Sequence, residues 1–295
     1  MDPTQSTSVN AAGQSQSQHP VRFQLASDLH LEVLQRGYKG LGSILDITAP
    51  NLILAGDIGD PFSAAMMQFL QDCVRAYEHV FLVAGNHEFY QRLHTPRTMR
   101  EVRAQLQKLG QEIKGLHFLD NESFVLDGVR VIGSTLWTHV PPPAMLAVQH
   151  CLNDYRYIFT TEKLKKGSPE TDEGAPDGSH RSIQVPDTNT LFEGNVRFIR
   201  RELESAKSAG QKALVVTHHM PSFRCVHARF ASDTSGVNHA FASNLDSLLE
   251  SGLVHTWVFG HTHESVWGEV MCTSDDDSTT PNTVCRLACN PGGYG

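Results

Sequence analysis

The chain has 295 residues, 40% of them apolar and 19% charged, and its 24 basic against 32 acidic side chains leave a formal net charge of −8. A chain of this size buries roughly three quarters of its unfolded surface, so its core needs no disulfide or metal staple, and no apolar run approaches the ~18–20 residues that span a bilayer. The acidic balance argues against a broad basic face for nucleic acid and leaves a small phosphorylated substrate open.

Residues 1–19 are rich in Gln, Ser and Thr and lack the charged and apolar regions of a secretory signal. They read as a disordered tail ahead of one domain over residues 20–295. The six cysteines, Cys73, Cys151, Cys225, Cys272, Cys285 and Cys289, show no CxxC spacing, which predicts reduced thiols and a cytoplasmic protein. From Val21 onward, short apolar or β-branched runs begin at Val21, Asn51, Val80, Ala213 and His255, each bounded by polar residues or Gly. Strands buried on both faces read this way. Between the second and third runs, Met66, Met67, Phe69, Leu70, Cys73, Val74 and Tyr77 recur at helical spacing, with Asp60-Pro61 as a start signal. Strand, helix, strand implies a parallel pair. A second helix is expected over Thr98 to Leu109, and a hairpin at Asp127-Gly128, so the sheet is expected to be mixed. Lys163 to Asp187 reads as a long surface loop or lid, Asn189 to Ala209 as a helix closed by Gly210, and Ser274 to Asn282 as a solvated hairpin tip. Cys272 and Cys285 flank that tip, and register could set them opposite each other.

The chemistry lies just past the end of each strand. The first ends in Asp28-Leu-His30, the second in Gly56-Asp57, the third in Gly85-Asn86-His87-Glu88, the fourth in His218-His219 and the fifth in Gly260-His261-Thr-His263. The carboxyl ends of strands in α/β sheets share one rim, so these residues converge. A lone His at a strand end is usually structural; five strand ends that each carry an oxygen or imidazole donor are not coincidence. The donors exceed what one four- to six-coordinate ion takes, which points to two ions, and the absence of thiolate suits Mn, Fe or Zn. Glycine before Asp57, Asn86 and His261 suits turns where backbone must approach a ligand closely.

These blocks resemble the signature of the calcineurin-like metallophosphoesterases: Asp-x-His, Gly-Asp, Gly-Asn-His-Asp/Glu, a His, and Gly-His-x-His. All five stand in order between residues 28 and 263. The flanks Val216-Thr-His-His-Met-Pro-Ser222 and Asn290-Pro-Gly-Gly-Tyr294 are similar to those of a widespread branch of small single-domain members. The resemblance implies an α/β fold, a four-layer αββα sandwich of two mixed β-sheets flanked by helices. It implies a dinuclear centre in which Asp28, His30 and His263 hold one ion, Asn86, His218 and His261 the other, and Asp57 bridges both. It further implies metal-dependent hydrolysis of a phosphoester by metal-activated hydroxide, with His87 as the non-ligand histidine that helps the leaving oxygen and Glu88 or Asp60 orienting it. His219 is expected in the core or behind the ligands. Asn153, Arg156 and Arg224 are the candidate substrate contacts, since a guanidinium grips phosphate bidentately; Trp137 and Tyr155 are read as buried aromatics.

Three alternatives stand beside this reading. A phosphodiesterase acting on cyclic nucleotides or nucleic-acid ends is the nearest. A non-catalytic scaffold of the same fold should lack ligands, and none is missing. A protein Ser/Thr phosphatase continues its second block as Gly-Asp-x-Val-Asp-Arg-Gly, whereas this chain reads Gly56-Asp-Ile-Gly-Asp60-Pro-Phe62.

Overall fold

The computed structural model describes residues 20–34, 37–91, 96–161, 180–273 and 284–292. The expected tail over residues 1–19, most of the 163–187 loop and the 274–282 hairpin tip lie outside the described residues.

The first sheet has the order β1 (Phe23–Ala26), β2 (Asn51–Ala55), β3 (His79–Val83) and β4 (Leu116–Phe118). All its pairings are parallel. The expectation of two mixed sheets is corrected here: each connection in this sheet is a crossover long enough to return the chain to the same end, so no strand needs to reverse. The second sheet is mixed. It draws on β5 (Glu122–Leu126) and β6 (Val129–Ser134), then on β9 (Lys212–Thr217), β10 (Thr256–Phe259), β11 (Val266–Met271) and β12 (Val284–Cys289), in the order β11-β12-β10-β9-β6-β5. The strands β6, β9, β10 and β12 run parallel, with antiparallel β5 and β11 on the two edges. A two-stranded ribbon, β7 (Phe159–Thr160) with β8 (Arg181–Ser182), stands apart.

Period-two alternation builds the layers. On β2, Leu52 and Leu54 face the helices while Ile53 and Ala55 face the other sheet; on β9, Ala213 and Val215 face outward while Leu214 and Val216 face inward. Phe81, Val83, Val131 and Val258 complete the inter-sheet layer. Three apolar layers between four layers of elements make the αββα sandwich, as stacked sheets with covered outer faces require.

Helix α1 (Ala64–Ala76) starts at Ser63, whose hydroxyl accepts from the Met66 N–H (3.1 Å), and buries Met66, Phe69, Leu70 and Cys73. Asp60-Pro61 forms the turn before it. Helix α2 (Met99–Glu112) carries a Thr98–Glu101 capping box. Two short helices, α3 (Met145–Cys151) and α4 (Asp154–Tyr157), come next. Helix α5 (Val185–Ser208) begins four residues before the expected Asn189. The polar stretch ahead of it reads as loop because Pro186 looks like a breaker; in the first turn proline costs no hydrogen bond, and Asp187 accepts from the Gln184 N–H at 2.8 Å. A last short helix, α6 (Asp246–Leu249), packs beside α5 and the second sheet.

The Asp127-Gly128 hairpin forms as expected, with positive φ at both residues and Leu126 opposite Val129. The β11–β12 register pairs Val270 with Cys285, so Cys272 and Cys285 do not face each other. All six cysteines are free thiols.

Candidate metal centre

The strand ends expected to carry chemistry are stitched to one another by backbone. The Asp28 N–H donates to the Gly56 carbonyl and the His30 N–H to the Asp57 carbonyl, both at 3.0 Å, tying the turn after β1 to the turn after β2. The Gly260 N–H donates to the His218 carbonyl at 3.0 Å and joins the turns after β9 and β10. Glu88 ties β2 to β3: its buried carboxylate accepts from the N–H groups of Asp57 (3.0 Å), Ile58 (2.7 Å) and Gly85 (2.7 Å). The three glycines preceding Asp57, Asn86 and His261 leave no room for a side chain. A Cβ on Gly56, itself at φ +84°, would lie 2.5 Å from His218 Nδ1; one on Gly85 would collide with Asp57 Oδ1; one on Gly260 would lie 2.7 Å from the Ala55 carbonyl.

Five non-glycine residues of these turns, Asp28, His30, Asp57, His261 and His263, hold positive φ angles between 46° and 68°. Such conformations cost on the order of 1–3 kcal/mol each and persist where the surroundings impose them. Asp and His tolerate the left-handed region better than most residues, so residue type and backbone agree.

The turns bring three groups of side chains together, each with donor atoms within 4.8 Å of one another: Asp28, His30 and His263; His30, Asp57 and His87; and Asp57, His218 and His261. Asp57 and His30 are shared. In the first group, His30 Nε2 lies 3.3 Å from His263 Nε2, and His263 Nε2 lies 3.5 Å from Asp28 Oδ1. Around His218 Nε2 gather Asn86 Oδ1 (3.0 Å), His261 Nδ1 (3.1 Å) and Asp57 Oδ2 (3.3 Å). Asn86 is oriented by its amide, which donates to Asp154 Oδ1 at 2.9 Å; Asp154, buried at the start of α4, also accepts from the Tyr90 hydroxyl at 2.5 Å.

This donor set fits metal ions. His218 Nδ1 faces the Ala55 carbonyl at 2.9 Å, so that nitrogen carries a proton, and Nε2 is the atom that faces two more oxygens and a second ring nitrogen. A proton on Nε2 satisfies one of these acceptors; a cation satisfies all of them, and a carbonyl partner on the far nitrogen is the usual way a ligating histidine is aimed. Electrostatics agree. Burial disfavours charge on His218, yet the carboxylates of Asp57 and Asp28 outweigh it and push its pKa up to about 10. Burial likewise opposes ionisation of Asp57, but His218 holds its carboxyl far below the usual range. The pocket thus attracts positive charge strongly.

His87 sits at the rim. Its N–H donates to Asp57 Oδ1 (2.8 Å), and its ring stacks on Tyr90 at 4.3 Å and meets His30 edge-on at 4.5 Å. The carboxylate expected to orient it was Glu88 or Asp60. Glu88 is occupied by backbone, and Asp60 accepts from the Phe62 N–H at 3.0 Å within its own turn. The orienting group is Glu32, whose Oε1 lies 3.4 Å from His87 Nδ1 and 3.1 Å from His30 Nδ1. Although burial raises it, hydrogen bonds from the two imidazoles bring the Glu32 pKa down to about 2, and Glu32 in turn raises that of His87 against burial. Glu32 lies two residues beyond His30, a spacing that reads as an ordinary surface acid.

Other expected residues lie elsewhere. His219 is buried behind the cluster, its ring 5.4 Å from Trp137 and 4.5 Å from His261. Trp137 and Tyr155 are core residues. Arg224 pairs with Asp246 (3.2 Å) and Glu250 (2.7 Å), Arg156 donates to the His150 carbonyl (2.6 Å), and Asn153 is exposed at the cap of α4. The two guanidiniums are thus engaged by the protein itself. Asp154, adjacent to Asn153, is the residue of that segment that reaches the cluster.

Residues 21–265 match the calcineurin-like phosphoesterase family. Among curated proteins, an uncharacterized protein of Acanthamoeba polyphaga mimivirus is 30% identical over 251 residues, covering 80% of this chain and 82% of that protein. Among solved structures, phosphopantetheinyl hydrolase from Mycobacterium tuberculosis shares the fold with a TM-score of 0.61 at 15% identity, over 92% of this chain and 89% of that one.

Proposed function

The chain belongs to the calcineurin-like phosphoesterases, and from that premise we propose that it hydrolyses a small phosphorylated substrate at a dinuclear metal centre. Asp28, His30 and His263 would hold one ion and Asn86, His218 and His261 the other, with Asp57 between the two groups as the shared ligand. The observation that carries this reading is the gathering of Asn86 Oδ1, His261 Nδ1 and Asp57 Oδ2 within 3.3 Å of His218 Nε2, more partners than a single Nε2 proton can serve and a set that a cation can. When bound, the metal pair supplies an activated water for in-line attack on phosphorus and neutralises the phosphoryl oxygens.

The protein's own groups do the rest. Asp57 holds the two halves of the site together: one oxygen faces His218 and the other accepts from the His87 N–H. Glu32 aims His87 Nδ1 and leaves the donated proton on Nε2, which passes to the leaving oxygen. Asp154 keeps the Asn86 oxygen turned into the site. The net charge of −8 favours a small substrate over a nucleic-acid tract, and the six free thiols suit a cytoplasmic protein.

Elemental analysis of the purified protein, then chelation and a panel of phosphate mono- and diesters, tests the proposal. We expect about two transition-metal ions per chain, with hydrolysis lost on chelation and restored by Mn²⁺, Fe²⁺ or Zn²⁺. A folded protein that hydrolyses the panel at full rate without metal overturns it. The rates on the panel assign monoester or diester preference.

A further inference from the structure

Beside the metal centre lies a second feature that the phosphoester chemistry alone does not use. A cavity of about 570 Å³ opens between the turn after β10 and the segment 220–241, and His261 and Thr262 form part of its wall. Its surface is mostly carbon, supplied by Met220, Val226, Phe230, Val237 and Phe241, with Ser232, Asp233, Ser235 and Asn238 placed among them. Cavities of this size and character bind drug-sized organic groups.

The wall shared with the metal centre makes the cavity part of the active site. The Phe241 ring stacks on His261 at 5.0 Å with 29° between planes, so an aromatic surface begins directly at a candidate ligand. At that junction His261 Nε2 and Thr262 Oγ1 are shielded and have no hydrogen-bond partner in the protein. The cavity therefore adjoins the metal centre through His261 and Thr262. Phe230, at the outer end, is 49% exposed, with the Arg229 guanidinium 4.5 Å from its ring centre. The cations of the rim are already paired: Arg229 and His227 both reach Glu264, at 3.7 and 3.2 Å. They are not waiting for an anionic partner.

We propose that this cavity receives the organic substituent of the substrate, and that the substituent is an apolar group bearing an aromatic ring. The proposal rests on the phosphoesterase reading for the position of the phosphate and adds to it the class of group that phosphate carries. Two phenylalanines and the face of His261 offer ring surfaces against which a flat group packs edge-on or offset.

The test compares 2-(1-naphthyl)ethyl phosphate with ethyl phosphate, whose leaving alkoxides are of similar basicity, each as the monoester and as its methyl diester, on the metal-loaded protein. Burying the ring predicts a kcat/KM advantage of about tenfold to a hundredfold for the naphthyl ester. In Phe230→Ala that advantage shrinks severalfold; Phe230 is exposed enough that truncation spares the fold, which circular dichroism verifies. Val237→Asp is the second variant and should shrink it further. Equal kcat/KM for the two esters in the wild type overturns the proposal. Calorimetry with the matching phosphonates separates the two readings. Tighter binding of the naphthyl phosphonate, weakened by Phe230→Ala, in a protein that hydrolyses no ester supports the cavity and refutes the phosphoesterase; equal binding of both phosphonates refutes the cavity.

Discussion

The two ends of the β-sandwich are made by the same strands and differ in almost every other respect. At the amino ends of β6, β9 and β10, a cavity of about 710 Å³ opens between the sheets, lined by Phe23, Val129, Lys212, His255, Trp267 and their neighbours. It is larger than the cavity beside the metal centre, yet no group of three candidate ligands is found there among the described residues. At the carboxyl ends, the volume is smaller, five ligand-type residues hold left-handed backbone, glycines admit side chains only by collision, and carboxylate, amide and imidazole groups crowd around one ring nitrogen. Volume is a by-product of where two twisted sheets part. A site is a place where backbone strain and unmatched charge are held in place by their surroundings, and the carboxyl ends of parallel strands are where turns from several strands meet.

That contrast is broken most severely by removing the shared carboxylate. Asp57→Asn keeps the shape and deletes the charge, so it should lower metal occupancy in both groups and reduce turnover by more than about 10³-fold, whereas His30→Ala should empty one position preferentially. Full metal content and rate in Asp57→Asn would show that Asp57 is not shared. His87→Ala comes next. With the general acid gone, alkyl phosphoesters should slow by about 10²–10⁴-fold while p-nitrophenyl esters, whose leaving group needs no proton, slow much less at unchanged metal content. Equal losses would assign His87 to the phosphoryl oxygens, and loss of metal would make it a ligand, as its proximity to His30 and Asp57 permits.

A smaller effect is expected behind the ligands. Asp154→Ala frees the Asn86 amide, and the loss of such an orienting partner typically costs about 10–100-fold in metal affinity or activity; titration of the apoprotein with Mn²⁺ would read it. Asp154→Asn should recover part of the loss if orientation of Asn86 is the role. The least effect belongs to the opposite end. Val125, paired with Arg130 near the amino end of β6, is 43% exposed, so Val125→Ala should change stability by no more than about 1 kcal/mol in urea unfolding and leave kcat/KM as it was. A drop in activity there would mean that the two ends communicate, and the contrast between them would fail.

Much of this molecule is legible in the chain itself. Short continuous apolar runs locate β2, β3, β9 and β10, the spacing of Met66, Phe69, Leu70 and Cys73 locates α1, and the polar residues just past each strand locate the metal centre. These features are local: a strand covered on both faces is apolar along its length, and a turn that must approach a ligand demands glycine where it occurs. The chain order of the blocks also places Asp57 between its partners, because β2 does lie between β1 and β3.

What only the tertiary structure decided is the company each residue keeps through space. Glu32 reads as a surface acid until the turn after β1 folds against His87. Asp154 lies 68 residues from Asn86, in a segment where Arg156 draws attention because guanidiniums suit phosphate; the fold turns Asp154 inward and leaves the arginine on a carbonyl. Glu88, beside His87 in sequence, points the other way and is consumed by the backbone of two turns. The wholly parallel first sheet, the early start of α5 and the apolar cavity at Phe230 and Phe241 are likewise invisible in the pattern. Spacing along a chain reports which face of an element a residue occupies. Which partner waits on that face is set by how the sheets stack, and side chains separated by tens of residues enter one another's reach only when they do.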